Sequence, residues 1–258
     1  MKYTLYSGAG NTFVLLDHPV SSHEAILLCQ ACNVDGAIFG EERFRMRIFN
    51  RDGSEAEMCG NGLRCFIKFL SEKNIYQKSY TINTKGGIYK GWLRGNLVSV
   101  QFPFPQNMIW DLKIASHTIH CLNTGVPHVV IFMDSIDRVN IQEIVSLICS
   151  QPIFCEGVNV NLVEPKTLRI RTYERGIDGE TLACGTGAVA AALAAAKLFS
   201  LTSPLKIKVQ SGEILKVSFT NDWRQIILEG SAIKFGSGTF SLKPRFTLKQ
   251  KSPILLLR

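Results

Sequence analysis

Met58-Cys59-Gly60-Asn61-Gly62 runs directly into Leu63-Arg64-Cys65-Phe66-Ile67-Lys68-Phe69-Leu70, and Ala183-Cys184-Gly185-Thr186-Gly187 into Ala188-Val189-Ala190-Ala191-Ala192-Leu193. Each is a cysteine, then Gly-x-Gly, then an apolar run that reads as a helix. A cysteine there faces unpaired backbone N–H groups and the positive end of the helix dipole, which favour the thiolate and make an anion site. On that ground both thiols are expected to have lowered pKa values. Free cysteine is often a small buried hydrophobe, but recurrence in matching contexts favours paired chemistry over packing.

The surroundings repeat as well. Gly10-Asn11-Thr12-Phe13-Val14-Leu15-Leu16 corresponds to Gly125-Val126-Pro127-His128-Val129-Val130-Ile131, each a turn feeding a buried strand. Helical stretches follow over Ser22 to Cys32 and Ile141 to Cys149. The alternating strand Phe44 to Asn50 matches Leu168 to Glu174. Asp52-Gly53 and Asp178-Gly179 mark turns, and Glu55 and Glu180 each lie four residues before their cysteine. Hairpins come after each helix, Tyr80 to Thr84 with turn Lys85-Gly86-Gly87, and Ile207 to Gln210 with turn Ser211-Gly212-Glu213; Leu97 to Phe102 and Gln225 to Leu228 extend them.

The expected fold is α+β: two pseudo-symmetric halves, each a mostly antiparallel sheet wrapped around a central helix, with the active site in the cleft between them. The halves are read as 1–113, carrying the Cys59 helix, and 114–258, carrying the Cys184 helix. They join near Asp111 to Ala115 after the Pro103–Pro105 breaker, and the final strand and tail after about 235 return to the first half.

At 258 residues, with 46% hydrophobic and 19% charged residues, the chain can bury substantial cores. Met1-Lys2-Tyr3-Thr4-Leu5-Tyr6 begins like a strand and lacks a signal-peptide pattern. The apolar run near Ala188 to Ala196 is too short to span a bilayer. The expected setting is cytoplasmic, with no membrane partner and with the eight cysteines reduced. Of the net charge of +8, five units come from Lys243, Arg245, Lys249, Lys251 and Arg258, in a tail without acidic residues. No nucleic-acid-binding signature accompanies that charge, so none is expected as a partner.

Other motifs fail on context. Gly185-Thr186-Gly187-Ala188-Val189-Ala190 fits a dinucleotide fingerprint in form, yet a polar loop rather than a hydrophobic strand leads into it. Cys29-Gln30-Ala31-Cys32 lies on one helical face and reads as packing. His117 and His120 point to opposite faces of a strand, so they cannot share an ion, and no metal is expected.

Two thiols beside an anion site suit the removal of an α-proton from an amino acid without pyridoxal phosphate. One thiolate takes the proton and the opposite thiol returns another, while helix N-termini stabilise charge on the carboxylate. Thiols that close are expected to form a reversible, inactive disulfide when substrate is absent.

Gly10-Asn11-Thr12-Phe13, Phe49-Asn50-Arg51-Asp52-Gly53-Ser54-Glu55, Met58 to Cys65, Pro127-His128, Val158-Asn159, Tyr173-Glu174-Arg175-Gly176 and Glu180 to Gly187 together resemble the diaminopimelate epimerase family, in order and spacing, to about Gly238. The resemblance implies a cofactor-independent isomerase interconverting LL- and meso-diaminopimelate for lysine and peptidoglycan precursors. It further implies a homodimer, with no cofactor and a small-molecule substrate. By likeness Cys59 and Cys184 are the acid/base thiols. Gly60, Asn61, Gly185 and Thr186 donate N–H groups to the reacting carboxylate. Asn11, Asn50, Asn159, Glu174 and Arg175 line the pocket, and His128 and Glu174 help set thiol protonation. Arg175 suits a carboxylate through its planar fork.

The chain departs from the family pattern at Val126, where Asn often stands. It departs again at Cys32-Asn33-Val34-Asp35-Gly36, in place of a glycine-rich approach, and in the basic tail. Loss of a polar contact at the substrate's far end predicts relaxed specificity, with glutamate as a side substrate. The rival readings are a proline or hydroxyproline racemase, which typically has His at the place of Asn61, and a phenazine-synthesis isomerase, which the paired cysteines disfavour. A third is a non-enzymatic thiol or metal-binding module using Cys29 and Cys32.

Overall fold

A computed structural model describes residues 1–241 except Arg43, Tyr76 and Asn96; the basic tail lies outside the described residues. The first half contributes β1 (Lys2–Gly8), β2 (Asn11–Leu16), α1 (Ser22–Cys32), β3 (Gly36–Glu41), β4 (Arg45–Asn50), α2 (Gly60–Glu72), β5 (Tyr80–Thr84), β6 (Gly87–Arg94) and β7 (Leu97–Phe102). Then follow β8 (Gln106–Ile114), β9 (His117–Asn123), β10 (Pro127–Phe132), α3 (Ile141–Cys149), β11 (Asn159–Val163), β12 (Ile170–Glu174), β13 (Gly179–Thr181) and α4 (Gly185–Phe199). The chain closes with β14 (Leu205–Lys208), β15 (Ile214–Phe219), β16 (Ile226–Ser231) and β17 (Ile233–Thr239).

The duplication extends to hydrogen-bond register. β2 runs parallel to β3, with Phe13 opposite Gly36, and β3 is antiparallel to β4. In the same way β10 runs parallel to β11, with His128 opposite Asn159, and β11 is antiparallel to β12. The helix in each crossover has its own cap. Ser21 and Glu24 form a reciprocal capping box on α1, and Asn33 ends it in the left-handed region at φ 51°. Asn140 caps α3. The unusual Asn33-Val34-Asp35 sequence thus serves as a helix stop, and Asp35 then accepts from the Thr12 N–H at 2.7 Å.

The sheets interlock rather than stand apart. One has eleven strands in the order β14-β15-β16-β7-β6-β5-β4-β3-β2-β1-β17; the other has six, β13-β12-β11-β10-β9-β8. Strands β14 to β16 therefore continue the first half's sheet through β7, and β17 returns to pair with β1. Asp111–Ala115, expected as the join, lies in β8 and the turn after it. Asn107 and Asp111 there have positive φ and the register slips twice, yet Met108, Trp110, Leu112 and Ile114 still turn inward at every second position.

The two Gly-x-Gly helices occupy the centre. α2 buries Leu63, Cys65, Phe66, Ile67, Phe69 and Leu70. α4 is an alanine helix, with Ala188, Ala190, Ala191, Ala192, Ala194 and Ala195 all fully buried. Alanine is the best helix former and its small side chain lets sheets on both sides approach closely. Both helices share one large core with strands from both sheets, and this fixes their N-termini relative to each other. No helix among the described residues is long and apolar enough to cross a membrane.

Candidate active site

α2 and α4 begin in the same way. Cys59 (φ −139°, ψ 111°) and Cys184 (φ −122°, ψ 114°) are extended residues at the N-cap. Each sulfur accepts the N–H two residues into its helix: Gly62 to Cys59 at 3.3 Å, Gly187 to Cys184 at 3.4 Å. Equivalent bidentate ion pairs brace the strands leading in. Arg47 grips Glu55 at 2.8 and 3.1 Å, and Arg171 grips Glu180 at 2.8 and 2.5 Å.

The helix starts meet. A Cβ added to Gly60 would stand 3.3 Å from the Cα of Gly185, and one added to Gly185 would stand 3.2 Å from the Cα of Gly60. Cross-links reinforce the contact. Asn61 donates its side-chain amide to the Ala183 carbonyl at 2.7 Å, and the Ala183 N–H donates to the Asn11 side-chain oxygen at 3.1 Å. The peptide before Cys184 is thus clamped by two asparagines of the first half. Of the first-turn residues expected as carboxylate donors, Gly60, Asn61 and Gly185 sit at this contact, and Thr186 follows Gly185 in the first turn of α4.

Behind Cys184 runs a polar chain. Thr172 donates to the Asn161 oxygen at 3.0 Å, and the Asn161 amide donates to the Val129 carbonyl at 2.8 Å and to Nδ1 of His128 at 3.0 Å. With Nδ1 accepting, Nε2 carries the proton and donates to Thr186 Oγ1 at 2.8 Å. The Thr186 hydroxyl is then free to donate to Cys184 Sγ, 3.3 Å away. Burial pushes the His128 pKa down to about 3, and the positive charge of Arg175 adds to the effect, so the ring is neutral.

Glu174 closes the site beside both sulfurs. It accepts from Thr181 at 2.5 Å, and burial raises its pKa while the Thr181 and Cys184 side chains oppose the rise. Burial also pushes the Cys59 thiol up to about 11, with the Glu174 charge adding to the rise. The same causes hold Cys184 well above the ordinary thiol range. This corrects the expectation of lowered thiol pKa values: the N–H bonds at each helix start do lower them, but loss of hydration outweighs those bonds. All eight cysteines are free thiols.

The remaining expected residues line two openings. Asn11 and Asn50 share a cavity of about 330 Å³ with Asp35, Gly176 and Thr181, and Asn50 is held by the Ser54 hydroxyl at 3.0 Å. His128 and Arg175 share one of about 510 Å³ with Pro127 and Gly157. Asn159 positions Arg175 by accepting its backbone N–H at 2.9 Å. The Arg175 guanidinium bonds the Glu156 carbonyl at 3.2 Å and pairs with Glu57 of the first half at 3.6 Å. Among the described residues, no three His, Cys, Asp or Glu side chains gather as a metal would require. Sequence reasoning missed Asn161, Arg64 and Glu57. Asn161 was detectable as the residue two along from Asn159 on one strand face.

The diaminopimelate epimerase family model matches residues 3–96 and 120–235. A diaminopimelate epimerase from Chlamydia trachomatis is 36% identical over 244 residues, spanning 89% of this chain and 88% of that protein. Another, from Aquifex aeolicus, is 33% identical over 275 residues, spanning 93% and 98%. The chain belongs to the diaminopimelate epimerase family. Solved structures share its fold at lower identity. A phenazine biosynthesis protein from Clostridium difficile has a TM-score of 0.67 at 15% identity, covering 94% of this chain and 100% of that one. A probable proline racemase from Agrobacterium radiobacter has a TM-score of 0.67 at 13% identity, covering 95% and 94%. The family's two-half architecture is therefore common to these folds, and the paired cysteines must be argued from this chain's own site.

Proposed function

We propose that this chain is a cofactor-independent isomerase that interconverts LL- and meso-diaminopimelate by two-thiol proton transfer, supplying lysine and peptidoglycan precursors. Family membership supports the substrate. The observation that carries the mechanism is the pair of apposed helix starts, each capped by a cysteine sulfur.

The substrate carboxylate lies at the Gly60-Asn61 and Gly185-Thr186 turns, where helix dipoles and N–H groups stabilise the charge that spreads onto it as the α-proton leaves. One sulfur, as thiolate, takes the proton: the C–H bond breaks and an S–H bond forms. The opposite thiol gives its proton to the other face, and the centre is inverted with no net proton lost. The raised pKa values keep the thiols neutral until substrate arrives. Glu174, whose charge acts on both thiols, accepts a proton and receives the substrate ammonium. The protein works as a cytoplasmic homodimer on a small-molecule substrate. Val126 in place of a polar side chain at the mouth permits slow racemisation of glutamate.

The test is α-proton exchange of LL-diaminopimelate in deuterated water. Cys59→Ala and Cys184→Ala should each abolish epimerisation. Wild-type turnover in either would refute the two-thiol assignment. Absence of any glutamate racemisation beside robust diaminopimelate turnover would remove the side activity alone.

A further inference from the structure

Arg64 has 0% of its surface exposed and is the largest fully buried side chain among the described residues. It lies one turn into α2, directly behind Gly60. Its fork donates to three neutral oxygens: Nε to Ser231 O at 3.2 Å, Nη1 to Gly60 O at 3.3 Å and Nη2 to Asn61 Oδ1 at 2.8 Å. β16 makes room for it, since a Cβ on Gly230 would stand 3.1 Å from Nε. Among the described residues no carboxylate forms an ion pair with it; Glu213, whose charge reaches it, bonds the Ser231 hydroxyl instead.

A sealed cation without a counter-ion is costly, and buried charges are ordinarily paired. Besides the Glu213 charge, the groups near it that can turn negative are Cys65, the next residue of α2, and Cys59 at the helix start. Arg64 also orients the asparagine that clamps the Cys184 segment, because the Asn61 oxygen it holds leaves the amide to bond Ala183.

We propose that Arg64 is a positioning residue for epimerisation: it locks Asn61, and through it the Ala183–Cys184 segment, opposite Cys59, and its unpaired charge is the standing counter-ion for the anion that forms at the start of α2. That anion is the Cys59 thiolate or the carboxylate of the bound substrate. The inference rests on the two-thiol reading above, but its first readout needs no substrate. The groups facing Cys59 are Glu174, Cys65, Cys184 and Arg64, together with the Asn61 and Gly62 N–H groups; only Arg64 brings a full positive charge.

The experiment compares wild type, Arg64→Met and Arg64→Lys by peptide-resolved iodoacetamide alkylation of Cys59 in a Cys184→Ala background at pH 8.5, and by turnover of diaminopimelate with both thiols present. Removing the charge should raise the thiol midpoint by about one pH unit, so the methionine variant alkylates about tenfold more slowly. Its kcat should fall about 100-fold with KM little changed. The lysine variant should alkylate at the wild-type rate, having kept the charge. Its kcat should still fall, since one ammonium cannot hold three acceptors at fixed angles. A merely structural arginine would lower the melting temperature in both variants while leaving alkylation and turnover per folded molecule unchanged, and that result overturns the proposal. If the methionine variant does not fold, the lysine variant decides, and wild-type kcat there overturns it. Failure of wild type itself to exchange the α-proton would sink the two-thiol reading, while the alkylation comparison would still report on the charge.

Discussion

The hydroxyl of Thr186 stands 3.3 Å from the sulfur of Cys184 and is turned toward it, because His128 Nε2 occupies its acceptor side at 2.8 Å. The next residue but one thus supplies a second donor to a sulfur already bonded by the Gly187 N–H. A hydrogen bond to a charged acceptor contributes about 1.5–3 kcal/mol, so Thr186→Val should slow proton transfer about tenfold to hundredfold. Both directions must slow equally in kcat/KM, since the variant cannot change the overall equilibrium. Thr186→Ser should recover most of the rate. A valine variant as fast as wild type would place the hydroxyl outside the reaction.

His128 makes a separate claim about acid stability. Its folded pKa of about 3 lies below the ordinary value of 6.5, so below pH 6.5 the unfolded chain binds a proton that the folded chain refuses. Its contribution is complete above pH 6.5 and is lost as pH falls toward 3, at up to about 1.4 kcal/mol per pH unit. Urea unfolding at pH 7.5 and pH 5 should show that loss. His128→Gln, whose amide still reaches Thr186, should be less stable at pH 7.5 but lose less on acidification. His120, depressed by burial as well, adds the same background slope to both proteins and cancels in the comparison.

Much of this site was legible from repetition. Cys59 with Gly60-Asn61-Gly62 and Cys184 with Gly185-Thr186-Gly187 mark two helix starts, and Glu55 and Glu180 match in position, although their equivalent ion pairs with Arg47 and Arg171 emerge only in the fold. What could not be read was anything that depends on desolvation or on contact across the join. Sequence assigns a helix N-terminus a lowered thiol pKa, whereas burial where the two halves close reverses it. The burial of Arg64 depends on the bare Gly230, on a strand 166 residues later, and nothing local to α2 signals it. Strand β8 was open to reading, since Met108, Trp110, Leu112 and Ile114 recur at period two and all turn inward.

Tyr89 offers a test of packing near the same join. Its hydroxyl is buried with no hydrogen-bond partner among the described residues, and the bare Gly125 backbone, φ 116°, gives it space: a Cβ there would stand 2.7 Å from the oxygen. An unsatisfied buried hydroxyl costs about 1–3 kcal/mol. Tyr89→Phe keeps the edge-on contact with Phe102, 5.8 Å between ring centres, and removes the polar atom. The expected outcome is a gain of about 1 kcal/mol in unfolding free energy, measured by urea titration. A clear loss would mean that the hydroxyl is satisfied in solution.

The glycines at the helix contact predict a separation of activity from stability. In Gly60→Ala the new methyl would meet the Gly185 Cα at 3.3 Å, and in Gly185→Ala it would meet the Gly60 Cα at 3.2 Å and Leu228 at 3.1 Å. Main chain cannot rotate aside as a side chain can, so relief comes by the helix starts moving apart by a few tenths of an ångström. Both positions are helical, where alanine is favoured over glycine by about 1 kcal/mol, which offsets part of the strain. Unfolding free energy should therefore change by less than about 2 kcal/mol. On the two-thiol proposal turnover should fall far more, about tenfold to hundredfold, because the α-carbon would have to fit in the span between Cys59 and Cys184. Gly179→Ala is the control: its Cβ would meet nothing closer than 3.9 Å, and activity should be unchanged. If Gly60→Ala lost stability and activity in proportion, the glycine would be serving the fold alone, and the close approach of Gly60 and Gly185 would not be what limits the rate.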